Sequence, residues 1–244
     1  MAVLEWGTLI VCGIALLVRV PGALRGRNRA VFAILFLATV CSLLSIRGPY
    51  AAIDGALGSW NLTNLILRLI VFAMVFLAGL RLAAGLGDAR VRRLLVGGAG
   101  RWGLTVACLA VTVTFLLMDT RGSSAGLEAL WDDGGRNAAL APFYAAAGRS
   151  YPAFVSIVLV PSLLATVRAR LPRLVRAGAA LTLVGAVAAI ASVPASFLPD
   201  SWDPVRLLVN YMAVLGYVLG LLVFWISGQR ARPPHNASAT FRKA

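Results

Sequence analysis

Long apolar blocks alternate along the chain with short polar connections, and seven of the blocks approach the length of a membrane span. A hydrocarbon core of about 30 Å takes about 20 helical residues. The blocks run from about Val3 to Val18, Ala30 to Ile46, Asn61 to Leu82, Trp102 to Met118, Phe143 to Val167, Ala177 to Phe197 and Pro204 to Ser227. The pattern predicts an all-α polytopic membrane protein, with a seven-helix transmembrane domain over residues 1–227 and a basic tail over 228–244 that reads as disordered. The first block contains Glu5, lacks a basic leader and a small-x-small cleavage site, and runs directly into arginines, so it reads as a retained anchor rather than a cleaved signal. Asp203 followed by Pro204 supplies a capping acceptor and a first-turn proline, which mark the start of the last helix.

Composition agrees with this pattern. The 244 residues are 60% hydrophobic and 13% charged, against about 25% charged in soluble domains, which excludes a water-soluble globular fold. A net charge of +14 would point to nucleic acid in a soluble protein, but here the arginines sit in alternate connections, so no nucleic-acid partner is expected. Arg19, Arg25, Arg27 and Arg29 fill the first connection, Arg81, Arg90, Arg92, Arg93 and Arg101 the third, and Arg168, Arg170, Arg173 and Arg176 the fifth. Nearly every acid falls in the other connections, with Asp88 the exception. The positive-inside rule then predicts an outside N-terminus and a cytoplasmic C-terminus. Trp6, Trp60, Tyr144 and Trp202 fall at the predicted outer ends of spans, and Trp102 and Trp225 at the inner ends, as two interfacial belts. Lys243 is the sole lysine, which with the alanine-rich spans suggests a GC-rich bacterial genome and a bacterial plasma membrane. The long outer loop from Asp119 to Pro142 carries an apolar stretch, Leu127 to Trp131, that reads as solvated loop resting on the membrane ahead of a lid. The glycine-rich run Val96 to Gly103 lacks the lysine of a phosphate-binding loop and reads as a cytoplasmic turn.

Missing residues narrow the chemistry. The last span has no lysine for a retinal Schiff base, and the single histidine, His235, lies in the tail. Bis-histidine haem ligation, zinc hydrolysis and serine–histidine proteolysis inside the membrane are therefore not expected. Asp132 and Asp133 lack the further carboxylates of a magnesium site. Cys12, Cys41 and Cys108 sit in separate apolar blocks as small hydrophobes. No catalytic residue, metal or cofactor is expected, and the chain does not read as an enzyme. What stands out is a set of polar residues in the predicted outer half. Arg68 and Arg149 lie six to seven residues inside their spans, a depth of roughly 10 Å at about 1.5 Å per residue, where charges are uncommon and suggest function. Asn61, Asn64 and Arg68 recur at helical spacing and are expected to share one face; Arg206, Asn210, Tyr211 and Tyr217 occupy the outer half of the last span. The functional expectation is that Arg68, Arg149 and Arg206 converge on an anionic small molecule, oriented by Asn61, Asn64, Asn210 and Tyr211. The structural alternative is that each arginine snorkels to the interface or pairs with Glu5 or Asp119. Gly216 and Gly220 form a GxxxG motif expected to pack within the bundle, and Pro161 and Pro194 can kink their helices.

The seven-span layout, the third span NLTNLILRLIVFAMVFLAGLRL and the stretch Pro172 to Leu198 resemble the membrane region of an actinobacterial seven-helix family assigned a transport role by inference. Members of that family often continue into a soluble cytoplasmic domain not found in this sequence. The resemblance implies a transporter or permease component for a small solute, anionic if the arginines bind it. The lack of a mid-membrane carboxylate and of a visible repeat weighs against transport. The alternative is a membrane sensor or interaction protein that couples an outer ligand pocket to a cytoplasmic protein partner or anionic lipid.

Overall fold

The computed structural model describes residues 2–26, 29–121 and 135–230. Expectations about the Glu5 side chain, Leu127 to Trp131, the Asp132–Asp133 pair and the tail beyond Arg230 fall outside what it describes. The described residues form helices α1 (Ala2–Leu24), α2 (Arg29–Leu44), α3 (Arg47–Ala56), α4 (Leu62–Gly85), α5 (Ala89–Val96), α6 (Gly98–Leu117), α7 (Gly135–Arg168), α8 (Arg173–Ala195) and α9 (Asp203–Arg230), with one 3-10 turn, Asp200–Trp202. Among the described residues six helices are long and apolar enough to cross a membrane, or seven if α2 and α3, bent by 90°, count as one span. The chain is an integral membrane protein.

Two short helices differ from the expected loops. The 16 residues of α2 reach only about 24 Å, and the chain then turns sharply into α3, whose sequence RGPYAAIDGA is too short and polar to read as a span. Residues 47–60 were expected to be plain connection, but α3 has an apolar edge that buries Tyr50. At the other end of the bundle, the Val96–Gly103 turn is corrected to a helix–helix corner. There α5 is capped by Asp88, whose carboxylate accepts from the Arg90 and Val91 amides at 2.8 and 3.1 Å, and α6 already begins at Gly98. A side chain at Gly100 would put Cβ 1.9 Å from the Leu95 carbonyl oxygen, so only glycine lets α5 fold back into α6.

Helix α7 is the axis. Its 34 residues, about 51 Å of helix, start at Gly135, ahead of the expected Phe143, and bury Tyr144, Tyr151, Val155, Leu159 and Leu163 against α4, α6 and α8. The early start follows from Asn137, whose side chain exchanges two 2.9 Å hydrogen bonds with the backbone of Asp119 and so ties the helix to the end of α6. Helices α8 and α9 meet backbone to backbone: a Cβ on Gly216 would lie 2.5 Å from the Gly185 backbone, and one on Gly220 would strike Thr182. The GxxxG motif is thus used within the bundle, as small-residue seams allow close helix approach. Among the described residues α1 packs only on α2, and it exposes Ile10, Val11, Ile14, Leu17 and Val18 as a membrane-facing helix does.

Candidate functional site

One end of the bundle is tied together by buried polar groups. Asp54 of α3, fully buried, accepts from the Asn61 and Thr63 amides at 3.0 and 3.2 Å, supplying the acceptor that the first turn of α4 otherwise lacks. Asn61 precedes α4 in the left-handed region at φ 54°, which asparagine tolerates better than most residues. Its side chain donates to the Thr120 carbonyl at 3.0 Å and accepts from the Tyr50 hydroxyl at 2.8 Å. This corrects the expected shared face: Asn61 is outside the helix and its amide is engaged by α3 and the segment after α6. Asn64 is inside the helix and buried, and its oxygen accepts from the Tyr144 hydroxyl at 2.7 Å. Both asparagines fix the frame on which Arg68 stands, one helical turn beyond Asn64.

The guanidinium of Arg68 lies 5.4 Å from the Tyr144 ring centroid. It occupies the space over Gly148, where a Cβ would be 2.8 Å from its Nη1 and 3.0 Å from its Cδ. The next residue, Arg149, points to the other flank of α7, where its Nη1 donates to the Ser196 hydroxyl and, at 3.5 Å, to the Ser192 carbonyl. These groups belong to the C-terminal end of α8, whose dipole favours a cation. Arg206, in the first turns of α9, is paired with Asp203 and its side chain is 18% exposed. Among the described residues neither Arg68 nor Arg149 is in ion-pair contact with a carboxylate; the suggested partner Asp119 is held by Asn137 through its backbone and exposes its side chain.

The remaining expected site residues are less engaged. Asn210 lies one turn beyond Arg206 and is half-buried, while Tyr211 is 64% exposed on the outer face of α9, away from the other helices. Tyr217 bonds the Ser156 hydroxyl of α7 at 2.7 Å, holding α9 to the axis. Tyr151, one turn below Gly148, is fully buried beside Phe72 and Phe154, and its hydroxyl has no hydrogen-bond partner among the described residues. Gly148 and Ser196 are site residues that sequence reasoning passed over. The spacing Tyr144, Gly148, Tyr151 places all three on one face of α7 and could have been noticed; nothing in the sequence pairs Arg149 with Ser196. Among the described residues no three histidine, cysteine or carboxylate side chains come together in a metal-binding group. No known protein family, curated protein or solved structure matches this chain.

Proposed function

We propose that the protein binds a small anion between Arg68, Arg149 and Arg206 and moves it across a bacterial plasma membrane as a transporter or permease component. In this reading the N-terminus lies outside, the arginine-rich connections and the C-terminus lie in the cytoplasm, and the site opens outward. The observation that carries it is the pair Arg68 and Arg149: two half-buried cations in an apolar bundle, satisfied by a ring, a serine hydroxyl and a carbonyl rather than by carboxylates. Charges at such depth are costly and are normally paired, so the pair retains a positive field that an incoming anion would neutralise. The unpartnered Tyr151 hydroxyl lies on the same face of α7.

The test is the thermal stability of the detergent-purified protein against anionic, neutral and cationic solutes, with Arg68→Gln and Arg149→Gln alongside. A ligand at about 100 times its Kd stabilises by roughly 2.7 kcal/mol. Stabilisation by one anionic class, lost in both variants, supports the site, and flux of that solute in proteoliposomes then supports transport. Binding without flux assigns the site to a sensor instead. No stabilisation by any anion, or stabilisation that both variants retain, removes the proposal.

A further inference from the structure

The corner formed by the end of α4, α5 and the start of α6 has a different character from the arginine site and lies at the opposite end of the bundle. Arg81, Arg90, Arg92, Arg93 and Arg101 are all exposed there. Asp88 is the one acid in this stretch, and its carboxylate is already engaged by two α5 amides and by the Ser162 hydroxyl of α7. Among the described residues none of the five arginines is salt-bridged to a carboxylate. Leu94, Val96 and Trp102 are exposed among them at 38%, 44% and 71%, whereas Val91 and Leu95 anchor α5 to the bundle.

Geometry fixes the height of this patch. Only residues 86–88 separate α5 from the end of α4, and only Gly97 separates it from α6. Since α4 and α6 are both long and apolar enough to cross a membrane, α5 is held where they leave the apolar layer. A helix with a cationic face, exposed apolar side chains and a tryptophan at that level matches the phosphate layer and the acyl boundary together. Free nucleic acid or an acidic peptide would use the arginines but leave Leu94, Val96 and Trp102 without a role.

We infer that this corner is a binding surface for anionic phospholipid headgroups. Arg90, Arg92 and Arg93 contact the phosphates, and Leu94, Val96 and Trp102 rest on the acyl boundary. The inference does not depend on the anion site.

The full-length purified protein is equilibrated in detergent with equimolar phosphatidylglycerol and phosphatidylcholine, and the retained lipid is counted by native mass spectrometry. The wild type retains phosphatidylglycerol preferentially. The preference falls by about fivefold for each arginine neutralised among Arg90→Gln, Arg92→Gln and Arg93→Gln, since each charge contributes on the order of 1 kcal/mol at an anionic surface. Lysine at the same positions keeps it, and Arg136→Gln, an exposed arginine at the opposite end of the bundle, leaves it unchanged. If the triple variant does not fold, Arg92→Gln and Arg93→Gln singly read the same ratio. Equal retention of both lipids by the wild type, an unchanged ratio in the glutamine variants, or displacement of phosphatidylglycerol by inorganic phosphate at matched ionic strength would overturn the assignment.

Discussion

Gly148→Ala tests the arginine site without touching a charge. The added methyl would lie 2.8 Å from the Arg68 Nη1, 3.0 Å from its Cδ and 3.1 Å from its Cζ. Carbon contacts are optimal near 3.5 to 4.0 Å, so the guanidinium must withdraw by roughly 0.6 Å or more from its seat over Tyr144. The atoms displaced belong to one flexible side chain, so overpacking sits near the low end of its usual range of about 1–3 kcal/mol, and the gain of about 1 kcal/mol for alanine over glycine inside a helix offsets it. Folding stability should therefore change by less than about 1 kcal/mol. Anion affinity should fall much further, because a hydrogen bond to a charged group contributes about 1.5–3 kcal/mol, or about 10- to 150-fold in Kd. Isothermal titration of the anion identified by thermal stability measures this directly, and a double-mutant cycle with Arg68→Gln should show strong coupling, since both changes remove the same contact. Wild-type affinity in Gly148→Ala, or additive losses in the cycle, would refute the assignment of Arg68 as a ligand contact.

Other sites give sharper structural outcomes. Gly216→Ala drives a methyl to 2.5 Å from the Gly185 backbone, which cannot yield as a side chain can, so the variant should lose about 3 kcal/mol or more of stability; a melting temperature in detergent equal to wild type would contradict the seam. Asn61→Ala strips the Tyr50 hydroxyl and the Thr120 carbonyl of their partner and strains a backbone at φ 54°, for a loss of about 1–3 kcal/mol per orphaned group, whereas Asn61→Gly should recover roughly the backbone part, about 1 kcal/mol. If the glycine variant melts below the alanine variant, the left-handed turn is not what Asn61 supports. The Ser162 hydroxyl, then the Val91 amide, hold the Asp88 carboxyl below the usual carboxylate range, so its contribution is present in full above about pH 4 and fades as pH falls through the lower folded value. The protection factors of the α5 amides, taken relative to the intrinsic exchange rate at each pH, should fall with acid in the wild type and already be low at pH 7 in Asp88→Ala; an α5 protected equally in both would show the cap to be idle.

The spans were legible because a long apolar run has few other stable uses than a membrane helix, and the Asp203–Pro204 start was legible because cap and proline act locally. Arg68 and Arg149 stood out for the same reason, as charges inside apolar runs. What the chain concealed depends on contacts between distant segments. Helix α3 is too short to produce a period, and the burial of its Asp54 depends on amides seven and nine residues away. Tyr144 reads as an interfacial aromatic, yet the axial position of α7 buries it beneath Arg68. Gly100 looks like turn composition until the Leu95 carbonyl is placed against it. Tyr211 lies on the exposed side of α9 while the Arg206 side chain is mostly covered, a rotation that span boundaries alone do not fix.

The two arginines meet different flanks of one helix, and under the transport reading that arrangement would link binding to motion. Arg68 approaches α7 from α4, and Arg149 leaves α7 toward α8, so an anion held by both draws on three helices at once. At this level α7 is weakened by its own sequence: Pro152 has no N–H to give the Gly148 carbonyl, four residues back, so the ladder lacks a bond beside the residue that seats Arg68. A bend confined to this turn would move the Arg149 flank relative to the Arg68 flank with little disturbance to Leu159 and Leu163 below. Under the transport reading, Pro152→Ala restores the bond and stiffens α7, so anion binding should persist while flux in proteoliposomes falls by an order of magnitude or more. A variant that binds and transports like the wild type would place the moving element elsewhere in the bundle and leave Pro152 as a tolerated break in a rigid axis.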